Sequence, residues 1–127
     1  MVHGADGIDE ISTTGYTKVS ECRDGAVKTF YLHPGDVGLQ KAAPGALTGG
    51  SATTNAAIIT AVLDGAPGAA RDVVLLNVGA ALFVAGRAES IRDGMYQAGR
   101  AIDDGAAKAT LARLVALSQA EAAGAAS

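Results

Sequence analysis

A change in hydrophobic period near residue 50 constrains the fold of this chain more than any other feature. Before it, two β-branched runs are joined by Asp24 and Gly25, a pair that tolerates positive φ and is typical of a hairpin turn. After it, apolar residues recur every three or four positions, which predicts helices. We therefore predict an α/β chain with a hairpin over residues 17–32, about four helices within residues 51–119, and a frayed tail over residues 120–127.

The most apolar stretch runs from Val73 to Ala85, and Asn77 is its one polar residue. The stretch is too short to cross a bilayer, which needs about 20 apolar residues. It is instead typical of a central helix that is buried all round. Because a polar side chain in such a helix needs a hydrogen-bond partner, we expect Asn77 to bond to a neighbouring loop.

The ends and faces of the other helices are also predicted by local signals. The Gly-rich turn at residues 48–51 could bind phosphate through its backbone N–H groups. No strand leads into it, however, so we predict that Thr48 or Ser51 caps the first helix. The last helix is expected to bury one stripe, consisting of Ala107, Leu111, Leu114, Val115 and Ser118.

Composition excludes some classes of partner and compartment. The net charge is −3, from 10 basic and 13 acidic residues without a basic run, so we expect no nucleic-acid partner. No stretch predicts a membrane span. The single cysteine, Cys22, cannot form an internal disulfide, and we therefore expect a reducing, cytoplasmic setting.

Three carboxylates stand close together at the start of the chain: Asp6, Asp9 and Glu10. Side chains of adjacent residues diverge on regular elements, so Asp9 and Glu10 can face one cation only from a loop or a strand end. Such oxygen ligands suit Mg²⁺, which takes one or two carboxylates together with substrate phosphates. The competing interpretation is an acidic surface turn that begins at Asp6. His3 is the nearest candidate base, but a histidine at a strand end is more often a packing residue, and we assign no catalytic residue.

Five segments resemble one enzyme family in order and spacing. Residues 3–11 resemble the H-G-x-D-G-[LI]-D-E-[LI] segment of anthranilate phosphoribosyltransferases, and the other segments are residues 31–39, 49–65, 71–77 and 102–107. The resemblance covers nearly all of this chain but only about the last third of a family member. It therefore implies that residues 1–127 are the C-terminal fragment of a phosphoribosyltransferase/nucleoside-phosphorylase-like α/β catalytic domain.

The resemblance implies a glycosyltransferase of tryptophan biosynthesis. Such an enzyme transfers 5-phosphoribose from phosphoribosyl pyrophosphate to anthranilate, with Mg²⁺ held by residues that match Asp9 and Glu10. The family's phosphate-binding and anthranilate-binding segments have no match here, so the substrate-binding residues are unknown. We therefore expect the chain to be inactive alone and to work only with an N-terminal portion supplied as a separate chain. The alternative is a non-catalytic relative or a structural subunit of the same fold.

Overall fold

The computed structural model describes the backbone of residues 1–124 and the side-chain environments of residues 1–120. Three β-strands precede four α-helices in this part of the chain, as predicted for the α/β class. The elements are β1 (Val2–Gly4), β2 (Thr17–Arg23), β3 (Ala26–Leu32), α1 (Ala52–Leu63), α2 (Ala69–Val84), α3 (Ile91–Asp103) and α4 (Ala106–Gly124). Helix α4 thus continues past residue 119, where the frayed tail was expected to begin, and residues 125–127 of that tail lie outside the described residues.

The three strands form an antiparallel sheet in the order β1-β2-β3. Val19 of β2 lies between Val2 of β1 and Phe30 of β3. The hairpin turn between β2 and β3 has φ values of 51° at Asp24 and 77° at Gly25. These are the left-handed conformations that an Asp-Gly turn permits, so the predicted hairpin is confirmed.

The core lies where the sheet and the loop after β1 meet helices α2 and α3. Its cluster of buried apolar side chains consists of Ile11, Val37, Leu76 and Met95. Leu76 comes from α2 and Met95 from α3, whereas Ile11 follows the acidic pair directly. The backbone beside Asp9 and Glu10 is therefore packed against α2, although the pair itself is at the surface.

Helices α2 and α3 approach each other closely at two glycines. A Cβ atom built on Gly94 would lie 2.5 Å from the carbonyl oxygen of Gly79, and one built on Gly79 would lie 2.7 Å from the backbone N of Met95. Both distances are far shorter than a carbon atom can have to backbone atoms, so neither position admits a side chain. This contact brings Leu76 and Met95 within the same core cluster.

The expectation that α2 is buried all round is wrong within residues 1–124. Leu76 and Gly79 are buried, but Val74 and Val78 on another side of the helix are exposed, the latter to 40%. The apolar run predicted that each side would be covered, but within residues 1–124 this side stays exposed. Nor is any helix in this range long and apolar enough to cross a bilayer.

The predicted inner stripe of α4 is confirmed only at its start, where Ala107 and Leu111 are half-buried, whereas the predicted cap of α1 is confirmed. Leu114 is 62% exposed and Val115 is exposed as well, because α4 meets its neighbours mainly through its first turns. At the start of α1, the Ser51 hydroxyl accepts a hydrogen bond from the backbone N–H of Thr54 at 3.2 Å.

Candidate metal site

The loop from residue 5 to residue 16, here called the acidic loop, joins β1 to β2 and carries all three carboxylates of the sequence motif. Backbone hydrogen bonds close its first turn, with the Gly4 N–H donating to Ile8 O at 2.9 Å and the Gly7 N–H to Gly4 O at 3.0 Å. A Cβ atom on Gly4 would lie 2.5 Å from Asp6 Oδ1 and 2.6 Å from Ile8 Cγ2. The turn therefore needs glycine at position 4.

Asp6 organises the turn, in agreement with the competing interpretation of a turn that begins at this residue. Its Oδ2 accepts hydrogen bonds from the hydroxyls of Ser12, at 2.6 Å, and Thr14. Its Oδ1 accepts a longer one from the Ile8 N–H at 3.3 Å. The hydrogen bonds from Ser12 and Thr14 hold the pKa of the Asp6 carboxyl below its ordinary value of 3.8. The hydrogen bonds of Asp6 are thus made within its own loop.

Asp6→Asn is expected to remove a pH-dependent part of the stability. Because the folded-state pKa of Asp6 is depressed, its contribution is present above pH 3.8 and is lost as the pH falls through the folded-state pKa. The carboxylate is exposed, so solvent screening keeps the difference below about 1 kcal/mol. Urea unfolding of both proteins between pH 2.5 and 6, roughly spanning the titration of a carboxyl group, should show their stabilities converging at the acid end. A gap that stays constant would contradict the role of the Asp6 charge.

Asp9 and Glu10 lie in the acidic loop with exposed side chains. The ion pairs found among residues 1–120 involve neither carboxylate. In the same range no three His, Cys, Asp or Glu side chains come close enough to hold a metal ion together. What the acidic loop can offer a cation is therefore a pair of accessible carboxylates. Such a pair does not form a protein-only cage but fits Mg²⁺, which retains water and binds substrate phosphate.

Asn77 of α2 bonds to the acidic loop immediately beyond this pair. Its Oδ1 accepts from the Ile11 N–H at 2.9 Å, and its Nδ2 donates to Ile11 O at 2.9 Å. Nδ2 also donates to Val73 O, one turn earlier in the helix, at 2.9 Å. The expected bond from Asn77 to a loop is confirmed, and its partner proves to be the residue that follows Glu10.

An open groove of about 640 Å³ runs between α1 and α2 and reaches the acidic loop. We call it the α1–α2 groove, and its walls include the exposed apolar side chains of Ile58, Ile59, Val74 and Val78, while Glu10 and Asn77 line it as well. This groove was not predicted from the sequence. The sequence does contain a signal for it, since each helix carries an adjacent apolar pair, Ile58–Ile59 and Val73–Val74. A helix that buries only one narrow apolar stripe does not need apolar residues at two neighbouring positions, so these pairs indicate a second apolar face.

Comparison with known proteins agrees with the sequence motifs. The α/β domain of a glycosyl transferase family matches residues 1–108. The anthranilate phosphoribosyltransferase of Azorhizobium caulinodans is 56% identical over 120 residues, covering 94% of this chain and 35% of that protein. This chain spans about a third of the length of such relatives.

Solved structures give the same result for the fold. The crystal structure of anthranilate phosphoribosyltransferase from Thermus thermophilus has a TM-score of 0.80 and 36% identity, over 91% of this chain and 34% of that one. A magnesium-bound variant of the Saccharomyces cerevisiae enzyme has a TM-score of 0.72 and 26% identity, over 82% and 31%. The resemblance and the fold predicted from the sequence are confirmed.

Proposed function

The chain belongs to the glycosyl transferase family whose α/β domain it matches, and from this premise we propose that it is part of an anthranilate phosphoribosyltransferase. The complete enzyme transfers 5-phosphoribose from phosphoribosyl pyrophosphate to the amine of anthranilate, a step of tryptophan biosynthesis, and releases pyrophosphate. The observation that carries this proposal is the 56% identity, over 94% of the chain, to a protein of that name. We also place the enzyme in the reducing cytoplasm, a setting compatible with the exposed, free thiol of Cys22.

We propose that Asp9 and Glu10 hold Mg²⁺ in that enzyme. Their exposure and their absence from the ion pairs of residues 1–120 support this role, as does the magnesium-bound yeast neighbour. Bound Mg²⁺ supplies positive charge that stabilises pyrophosphate as it leaves. The chain's own residues orient and present the two carboxylates. We assign no general base here, since the amine of anthranilate is itself a usable nucleophile, and His3 remains a surface residue of β1.

We further propose that the chain needs a separate N-terminal portion, corresponding to the two thirds of the relatives' length that it does not match. The α1–α2 groove is the surface that we assign to this portion. Its apolar walls are uncovered within residues 1–124, and Ile59 alone is 52% exposed. Because Glu10 lines the same groove, the docked portion would lie beside the metal carboxylates and could carry the phosphate-binding segment that this chain lacks.

The test is phosphoribosyl transfer measured as loss of anthranilate fluorescence. A chimera is made in which this chain replaces the matching segment of the Azorhizobium caulinodans enzyme, with that full-length enzyme as the positive control. We expect turnover by the chimera and none by the chain alone, because a metal site without a phosphate cradle cannot position a substrate.

Two parts of the proposal, the enzyme assignment and the need for a second portion, each have a contradicting result in this assay. A folded chimera without turnover would overturn the enzyme assignment in favour of a non-catalytic relative or a structural subunit. Turnover by the isolated chain would overturn the need for a second portion while leaving the enzyme assignment in place.

A further inference from the structure

We propose that Asn77 is a positioning residue for magnesium binding, acting through the backbone of Ile11. This inference rests on the metal role proposed for Asp9 and Glu10. Asn77 lies 66 residues from Ile11 in sequence, and its amide pairs with both backbone groups of that residue at 2.9 Å. Ile11 itself is only 4% exposed, so its N–H and carbonyl have little access to water and depend on this partner.

The orientation of the Asn77 amide follows from its full set of partners. An asparagine amide has two N–H donors and one carbonyl acceptor. Here Nδ2 donates to Ile11 O and Val73 O, and Oδ1 accepts from the Ile11 N–H. A flipped amide would place its oxygen against two carbonyl oxygens. The side chain is thus held on α2 by Val73 and presents one fixed pair of groups to the acidic loop.

Asp9 and Glu10 lie between two residues, Ile8 and Ile11, whose backbone groups are hydrogen-bonded. On one side, Ile8 O accepts from the Gly4 N–H at 2.9 Å, and the Ile8 N–H contacts Asp6. On the other side, Ile11 is bonded to Asn77 and packed in the core cluster. Releasing Ile11 therefore frees the backbone that sets the direction of both carboxylates.

A purely structural role would predict a different result from a positioning role. Loss of the Asn77 bonds lowers stability in either case, because buried polar groups of Ile11 lose their partner. Only positioning predicts that the folded variant also binds a divalent cation more weakly. Groups that orient metal ligands typically change metal affinity by about 10- to 100-fold when removed.

The experiment titrates the full chain with Mn²⁺ alone as a paramagnetic substitute for Mg²⁺. NMR follows broadening of the Asp9 and Glu10 amide signals, and hydrogen exchange reports on the Ile11 amide. Asn77→Ala removes every amide bond. Asn77→Ser is the second variant, because a serine hydroxyl can bond back to the helix carbonyl and so loses only the loop contacts. The matched control is Ile102→Ala, which perturbs a buried residue of α3 that belongs to a different part of the core.

We expect both Asn77 variants to raise the apparent Kd for Mn²⁺ by about tenfold or more and to speed exchange at Ile11, whereas Ile102→Ala leaves the Kd unchanged. Unchanged affinity in the Asn77 variants, or an equal loss in the control, would overturn the positioning role. Absence of Mn²⁺ broadening in the unaltered chain would instead overturn the metal role of Asp9 and Glu10, and this inference with it. Turnover of the chimera is measured separately from Mn²⁺ binding, so failure of the metal role and failure of the enzyme assignment are distinguishable.

Discussion

Replacing Gly94 by alanine is expected to destabilise the chain by about 3 kcal/mol or more, which is the upper range for overpacking a core. The added Cβ would lie 2.5 Å from the carbonyl oxygen and 2.8 Å from the Cα of Gly79. Both are backbone atoms of α2, so no side-chain rotation can relieve the clash. The two helices must move apart, and that movement separates Leu76 from Met95 in the core cluster.

The measurement is urea unfolding followed by circular dichroism at helix wavelengths, with Gly99→Ala as the matched control. Gly99 lies in the same helix, but a Cβ there would meet only side-chain atoms, Arg71 Nη2 at 3.9 Å and Leu75 Cδ2 at 4.0 Å. Alanine is favoured over glycine in a helix interior by roughly 0.5–1 kcal/mol, so the control is expected to be stabilised. Similar behaviour of the two variants would contradict the close helix contact.

The double change Asp9→Ala, Glu10→Ala is expected to reduce phosphoribosyl transfer by the chimera at least about 100-fold, the loss typical of removing a major electrostatic stabiliser of a leaving group. The reason is that both proposed oxygen ligands disappear while the core, which begins at Ile11, stays intact. The assay compares kcat across a Mg²⁺ titration, so that a weakened metal site is seen as a shift in magnesium dependence.

Two further variants serve as controls. The first separates the effect of charge from that of side-chain size, and the second tests whether the position of the charge matters. Asp9→Asn, Glu10→Gln keeps the size of the side chains and removes their charge, and it should lose activity to a similar extent. Glu21→Ala, Glu89→Ala removes the same charge from other sites outside the acidic loop and should leave turnover nearly unchanged. An unaltered magnesium dependence in the Asp9 and Glu10 variants would contradict the metal role.

Local features of this protein were determined by the sequence alone. The Asp24-Gly25 turn follows from the backbone conformations that these two residues tolerate, and the Ser51 cap from a hydroxyl placed before a helical pattern. The need of Asn77 for a loop partner follows from its apolar surroundings. The acidic pair was also visible, since the order of residues 3–11 matches a family segment. Each of these signals depends on atoms within a few residues of one another.

Which faces of the elements meet became known from the folded chain. It paired Gly79 with Gly94, brought Asn77 to Ile11 across 66 residues, and left the α1–α2 groove and Leu114 uncovered. A hydrophobic period indicates that one face of an element is buried. The hydrophobic effect has no direction, however, so the period does not indicate which other element covers that face. That selection depends on how whole elements dock, which is set by shape and backbone approach between residues distant in the chain.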